Sequence, residues 1–152
     1  MNGDAIRTSV ERLVARKGRT LKTLGPATVD ETTVRRFREA LGWQPDPSLG
    51  VPPAILMQVF RADTDVRSDS RPRETIDSAL TDPVNGGTEL LFSRPLRLGE
   101  VLTGEVVLTD VALREGKSGP LALVVTETIC RDQDGSEVGR TRVTMIYRGA
   151  RA

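Results

Sequence analysis

The sequence contains no histidine. That removes the commonest metal ligand and the side chain most often used as general acid or base near neutral pH. A single cysteine, Cys130, excludes both an internal disulfide and a cysteine-rich metal site. Aromatic residues make up only 3% of the 152 residues, so a core must be built mainly from Val, Leu and Ile. No apolar run approaches the roughly 20 residues of a membrane-spanning helix. The opening "MNGDAIRTSVERLV" lacks the apolar centre of a signal peptide, which makes the cytoplasm the default location. Net charge is only +1, with acids and bases interspersed, so the clustered basic face that nucleic acid requires is missing.

What is present reads as a helical first part and a strand-rich second part, an α+β pattern in one domain of ordinary size. Residues 1–19 form an extension with a short helix over 5–16, Val10, Leu13 and Val14 lying on one side. Residues 20–152 form the domain proper. "GRTLKTLGPATV" predicts a first strand ending at Gly25-Pro26. "DETTVRRFREALG" is the cleanest helix signal. Asp30 can cap it, Val34, Phe37 and Leu41 recur at helical spacing, and Gly42 suits the left-handed position that ends helices. A loop with Trp43 and the prolines Pro45, Pro47, Pro52 and Pro53 follows, stiffened because proline fixes φ. "PPAILMQVFRA" then predicts a helix buried on most sides, with Ile55, Leu56, Val59 and Phe60 on its apolar face.

Residues 64–83 are polar and predict a loop or a weak helix. Beyond them the period changes to two. "TELLFSRPL", "EVLTGEVVLTDVALRE", "GPLALVVTETICRDQDG" and "SEVGRTRVTMIYR" predict strands, the last three joined by the turn sequences "REGKSGP" and "DQDGS" into an antiparallel meander. Size assigns Leu121, Leu123, Val125 and Ile129 to one face of the third of these, with Ala122, Thr126, Thr128 and Cys130 on the other.

Few catalytic schemes remain. Cys130 lies mid-strand without a base and reads as a packed thiol. Asp46 and Glu89 are weak candidates for a catalytic carboxylate, and Arg94 reads as a strand residue facing solvent. Asn85, Gly86 and Gly87 match no phosphate loop; they predict a bend or bulge, and bare backbone there also lets a ligand approach closely. Asp63, Asp65 and Asp69 lack the glycine and distal glutamate of a calcium loop, so no metal site is expected. Arg71 and Arg73 read as solvated charge. No cofactor is called for. Trp43 can cover the helix end, line a ligand cavity, or form a subunit contact.

Taken in order, "VDETTVRRFREALGW", "GVPPAIL", "NGGTELLFSRPLRLGEVLTGEVVLTDV" and "GPLALVVTETICRDQDGSEVGRTRVTMIYR" resemble segments of the hot-dog fold, a curved antiparallel sheet around a central helix. More narrowly they resemble the FAS1-like domain that forms the N-terminal half of the MaoC-like dehydratases. That resemblance implies pairing with a second hot-dog subunit, as a hetero- or homodimer, and an acyl-CoA or acyl-carrier-protein thioester bound between the two. It implies reversible hydration of a 2,3-double bond by an Asp and a His from the loop after the first helix. Here the acid position falls on Trp43 or Gln44, Asp46-Pro47 stands for Asn-Pro, and the His position falls near Leu49 or Gly50. The catalytic pair is therefore not carried over. The chain is expected to be a non-catalytic, substrate-shaping subunit, with Trp43, Pro52, Ile55, Val59, Asn85, Gly86 and Gly87 toward the acyl group. Two rival readings are a homodimeric acyl-thioester or hydrophobic-ligand binder and a thioesterase using Asp46, Glu89 or Glu127.

Overall fold

The structure, a computed structural model, describes residues 2–44, 46, 48–60, 77 and 80–148. Helix α1 (Asn2–Val14) is followed by strand β1 (Thr20–Thr28), helix α2 (Glu31–Ala40) and a 3-10 turn (Pro53–Met57). Strands β2 (Thr81–Phe92), β3 (Val101–Gly116), β4 (Gly119–Arg131) and β5 (Glu137–Arg148) complete the chain. The five strands form one sheet in the order β1-β3-β4-β5-β2, and every pairing is antiparallel.

The meander predicted from the turn sequences is present. Gly116 pairs with Gly119 across a two-residue turn, and β4 and β5 run in register from Leu121↔Arg148 to Cys130↔Gly139. Gly135, with φ +81, closes the second turn by accepting none of the strain a side chain would meet there. Asp132 secures it: its backbone N–H donates to Ser136 O at 2.9 Å, and its carboxylate accepts from the N–H groups of Asp134 and Ser136.

Several expectations are corrected. β1 does not stop at Gly25-Pro26; its pairing resumes at Ala27↔Leu102 after a bulge, so the glycine and proline interrupt an edge strand without ending it. β2 begins at Thr81, inside the segment expected to be a loop. The two faces of β4 divide as the alternation has them, and the structure adds which one is inner. Ala122, Val124 and Cys130 are buried against the helical layer, while Leu121, Leu123, Val125 and Ile129 are half-buried on the opposite face. Alternation gives two faces but does not say which is inner, and here the small residues lie beneath the elements that pack closest. Val14 is exposed rather than packed, and Ile6 takes the inward position beside Val10 and Leu13.

The helix expected over "PPAILMQVFRA" is a 3-10 turn of five residues. Pro52 and Pro53 remove two backbone donors at its start, and the turn closes with Gln58 N–H donating to Ile55 O at 2.7 Å. The inner face of the sheet is covered in two halves. α1 closes one half, where Ile6, Val10 and Leu13 join Leu108, Val111, Ala122, Val124 and Tyr147. Ser9 and Arg12 of this helix also donate to the Asp77 carboxylate, each at 3.0 Å. The 3-10 turn and α2 close the other half, where Val34, Ile55, Leu56 and Phe60 meet Leu102, Cys130 and Val138.

Glycines make this second half possible. A Cβ on Gly104 would lie 3.2 Å from the Phe60 ring. One on Gly139 would lie 3.1 Å from Leu56 and only 2.6 Å from the backbone oxygen of Leu91. Gly139→Ala should therefore cost about 1–3 kcal/mol through overpacking. Gly87→Ala, with no neighbour within 4 Å of the added carbon, should stay within about 0.5 kcal/mol. Urea unfolding of the two variants checks the difference.

Candidate functional site

The loop after α2 is built from both ends. Asp30 caps the helix, its Oδ1 accepting from Thr33 N–H at 2.8 Å. At the other end Gly42 (φ +70) allows Trp43 N–H to donate to Arg38 O at 2.9 Å and Gly42 N–H to Glu39 O at 3.0 Å, the paired bonds of a Schellman motif. The chain leaves the helix at a fixed angle, with Trp43 48% exposed just past its end. Across the loop, the Arg38 guanidinium donates to three backbone carbonyls: Asp46 O at 3.4 Å, Gly50 O at 2.7 Å, and Leu49 O.

The loop forms one wall of a cleft of about 450 Å³. Val34 and Arg38 of α2, Trp43, Leu49 and Val51 of the loop, and Leu96 to Leu98 of the β2–β3 connection line it. An adjoining depression of about 730 Å³ includes Gln44, Pro52 and Pro53. The depression is mainly apolar; in the cleft the apolar side chains stand beside charged ones, among them Glu31 and Glu39 of α2, Asp46 and Arg97.

Asp46 is the one carboxylate on this loop within the cleft lining that was expected as a catalytic candidate. Its Oδ1 accepts from the Ser48 hydroxyl at 2.6 Å and from Ser48 N–H at 2.9 Å. Those bonds, chiefly the one from the hydroxyl, hold its pKa below the ordinary carboxylate value. A carboxylate stabilised in its charged form is a weaker base.

The remaining expected residues divide. Trp43 and Pro52 line the same depression. Ile55 is 0% exposed and belongs to the core, with Val59 packed against it. Asn85, Gly86 and Gly87 lie on the edge strand β2, where the register shifts between Asn85 and Gly87 as a bulge. Asn85 Oδ1 accepts from Gly87 N–H at 2.8 Å, and its amide donates to Thr88 Oγ1 at 3.1 Å. A Cβ on Gly86 would meet Ile146 at 3.0 Å, so packing explains that glycine; Gly87 has open space above it. Glu89 is exposed on β2 opposite Arg142. Pro45, Pro47, Asp63, Asp65, Asp69, Arg71 and Arg73 lie outside the described residues.

Cys130 is buried, and desolvation pushes its thiol up to about 12. Arg94 is not a solvent-facing strand residue. It donates to Glu100 Oε2 at 2.8 Å and to Asp132 Oδ2 at 2.9 Å, tying the β2–β3 connection to the β4–β5 turn. Glu100 Oε1 also accepts from Arg97 N–H at 2.9 Å, so this ion cluster holds the segment that carries Leu96 to Leu98 into the cleft. Arg38 was not singled out from the sequence, yet a signal exists: it stands at helical spacing with Val34 and Leu41, inside the apolar stripe. Among the described residues, no helix is long and apolar enough to cross a membrane.

A curved five-stranded antiparallel sheet with helices packed on it, and a cleft at the end of the first strand–helix unit, defines a hot-dog protein. Within that class the chain belongs to the family described as "FAS1-like, dehydratase domain region", which matches residues 15–141. Solved structures agree on the fold. A chain of the ChsH1-ChsH2 complex from Mycobacterium tuberculosis superposes with a TM-score of 0.70 at 18% identity, covering 97% of this chain and 93% of that one. A chain of the HadBC (3R-hydroxyacyl-ACP dehydratase) complex from the same organism gives 0.58 at 19% identity, covering 86% and 96%. The MaoC-like dehydratase from Rhodospirillum rubrum gives 0.56 at 20% identity, covering 90% and 94%. No curated protein matches the sequence.

The ion cluster yields a prediction with a definite sign. The hydrogen bond from Arg94 is the largest cause holding the Asp132 pKa below its ordinary value. A depressed folded-state pKa contributes stability that is present above the ordinary carboxylate range and lost as pH falls through the folded value. Asp132→Asn should lower the urea midpoint at neutral pH. The gap to the unmodified protein should close as pH drops below the carboxylate range.

Proposed function

We propose that this chain is the non-catalytic, substrate-shaping subunit of a heteromeric enoyl-thioester hydratase or 3-hydroxyacyl-thioester dehydratase. The observation that carries the proposal is the content of the loop after α2. Reversible water addition needs a base for water and an acid for the α-carbon. This loop offers Trp43, Leu49 and Val51 to the cleft, and its one described carboxylate is turned into a local bond with Ser48. No imidazole exists anywhere in the sequence. A second hot-dog subunit would supply the acid and base, and this chain would supply an apolar wall for the acyl group of a CoA or carrier-protein thioester.

The edge of the sheet supports a partner of that kind. Among the described residues, β2 is paired on one side only, by β5. It is 12 residues long, and Leu91 and Phe92 are 53% and 40% exposed. Pro83, the bulge at Asn85–Gly87 and Glu89 blunt the first part of this edge, and its apolar end at Leu91 and Phe92 is the part that such strands ordinarily have covered or paired. Extension of the sheet across β2 would satisfy its free backbone groups and bury those side chains. Similar solved chains come from two-subunit complexes, ChsH1-ChsH2 and HadBC, which supports such pairing here.

Co-expression with a MaoC-like chain that retains its Asp and His tests the proposal. The expected result is a stable complex that hydrates an enoyl thioester, followed by loss of the conjugated absorbance, with no turnover by this chain alone. Hydrolysis of acyl-CoA by the isolated chain would point to the thioesterase reading. Saturable acyl-thioester binding by a homodimer, with no complex formed, would point to the binding-protein reading.

A further inference from the structure

Arg38 makes contacts that its exposed neighbours on α2 do not. Arg35, one turn earlier, pairs with Glu39 at 3.7 Å on the helix surface. Arg38 instead reaches across the loop to the carbonyls of Asp46, Leu49 and Gly50. Its Nε–H is buried and has no hydrogen-bond partner among the described residues. An unsatisfied buried donor is a cost to the fold. A residue kept at that cost, inside an apolar stripe, calls for a compensating role.

We propose that Arg38 is a positioning residue, whose guanidinium ties residues 46, 49 and 50 of the loop to α2 and so presents Trp43 to the cleft in one orientation. The loop is held at its start by the Schellman bonds of Gly42 and Trp43 and at its end by Arg38. Between them, among the described residues, the Asp46 side chain bonds only to Ser48. The prolines limit φ at their own positions but supply no donor, so they cannot tie the returning backbone to α2. A guanidinium can, because its planar fork offers several donors in fixed directions; an ammonium offers one compact charge. The clamp itself stands on hydrogen-bond geometry. Its consequence for an acyl group or a second subunit rests on the functional reading above.

The test uses the full chain, in which Trp43 is the sole tryptophan and reports directly on the loop. Arg38→Met keeps the stem, removes every donor and also removes the unpartnered Nε–H. Arg38→Lys keeps the charge. In both, native-state exchange of the Ser48 and Leu49 amides should accelerate by about tenfold or more, as expected for lost hydrogen bonds to a charged group. Trp43 should gain a fast component in its fluorescence anisotropy decay. The urea midpoint of Arg38→Met should equal or exceed that of the unmodified chain, which a merely structural role would not give. Arg35→Lys should leave every readout unchanged. Unaltered amide exchange and unaltered Trp43 anisotropy in Arg38→Met overturn the proposal, as does a fall in its midpoint large enough to account for faster exchange by global unfolding. A separate measurement of complex formation addresses the functional reading: a loop loosened by Arg38→Met with partner binding intact leaves the clamp standing and removes only its consequence.

Discussion

The 3-10 turn and Phe60 rest on bare backbone, and the second half of the molecule is arranged around that contact. Gly104 and Gly139 leave room on β3 and β5 for the Phe60 ring and the Leu56 side chain. Ile55 and Leu56 are thereby sealed into the core, 0% and 1% exposed. This anchors the chain at residue 55, just beyond Pro52 and Pro53. α2 anchors it at residue 41, through Val34 and the capping bonds of Gly42 and Trp43. The loop between is suspended from two fixed points about a dozen residues apart, a span short enough for one side chain, Arg38, to tie its returning strand to the helix.

That arrangement gives the cleft a wall with shape but little chemistry. Its lining mixes apolar side chains with charged ones, and two groups of charges at it are engaged with neighbours. Asp46 is held by Ser48, and Arg94 with Glu100 and Asp132 braces the opposite wall. Asp46 and Asp132 are held below the ordinary carboxylate value and Arg94 above its own, so these three are stabilised in the charged form they already have. Cys130 is likewise removed from reaction, buried with its thiol raised to about 12. Under the function proposed above, this wall is one half of a site completed by a second subunit.

The elements governed by local rules were legible in the sequence. Asp30 and Gly42 bounded α2 correctly because capping depends on a few adjacent residues. The turns at "REGKSGP" and "DQDGS" gave the meander for the same reason. The errors arose where distant packing decides. The sequence also left open which face of β4 is inner, because that depends on what lies over it: Ala122 and Val124 face α1 although Leu121 and Leu123 are larger. The apolar run after Pro52 looked helical because its residues are buried on most sides, but burial in a 3-10 turn reads the same way. In the site, Trp43 and Pro52 were found beside the cleft, whereas Ile55 proved to be core. Arg38 was overlooked because an arginine in a helix is ordinarily solvated charge. Arg94 was misplaced because its two carboxylate partners come from positions 100 and 132.

The central claim is that the loop bearing Trp43 becomes part of a cavity shared with a second hot-dog subunit. Tryptophan emission measures this most directly, since Trp43 is the only source in this chain and is about half exposed without a partner. A partner carrying no tryptophan, or one labelled to separate its signal, should be added first, and an acyl thioester afterwards. The account predicts a blue shift and reduced collisional quenching of Trp43 on pairing, on thioester binding, or in both steps. A complex that forms, takes up thioester and leaves Trp43 emission and quenching unchanged would contradict it.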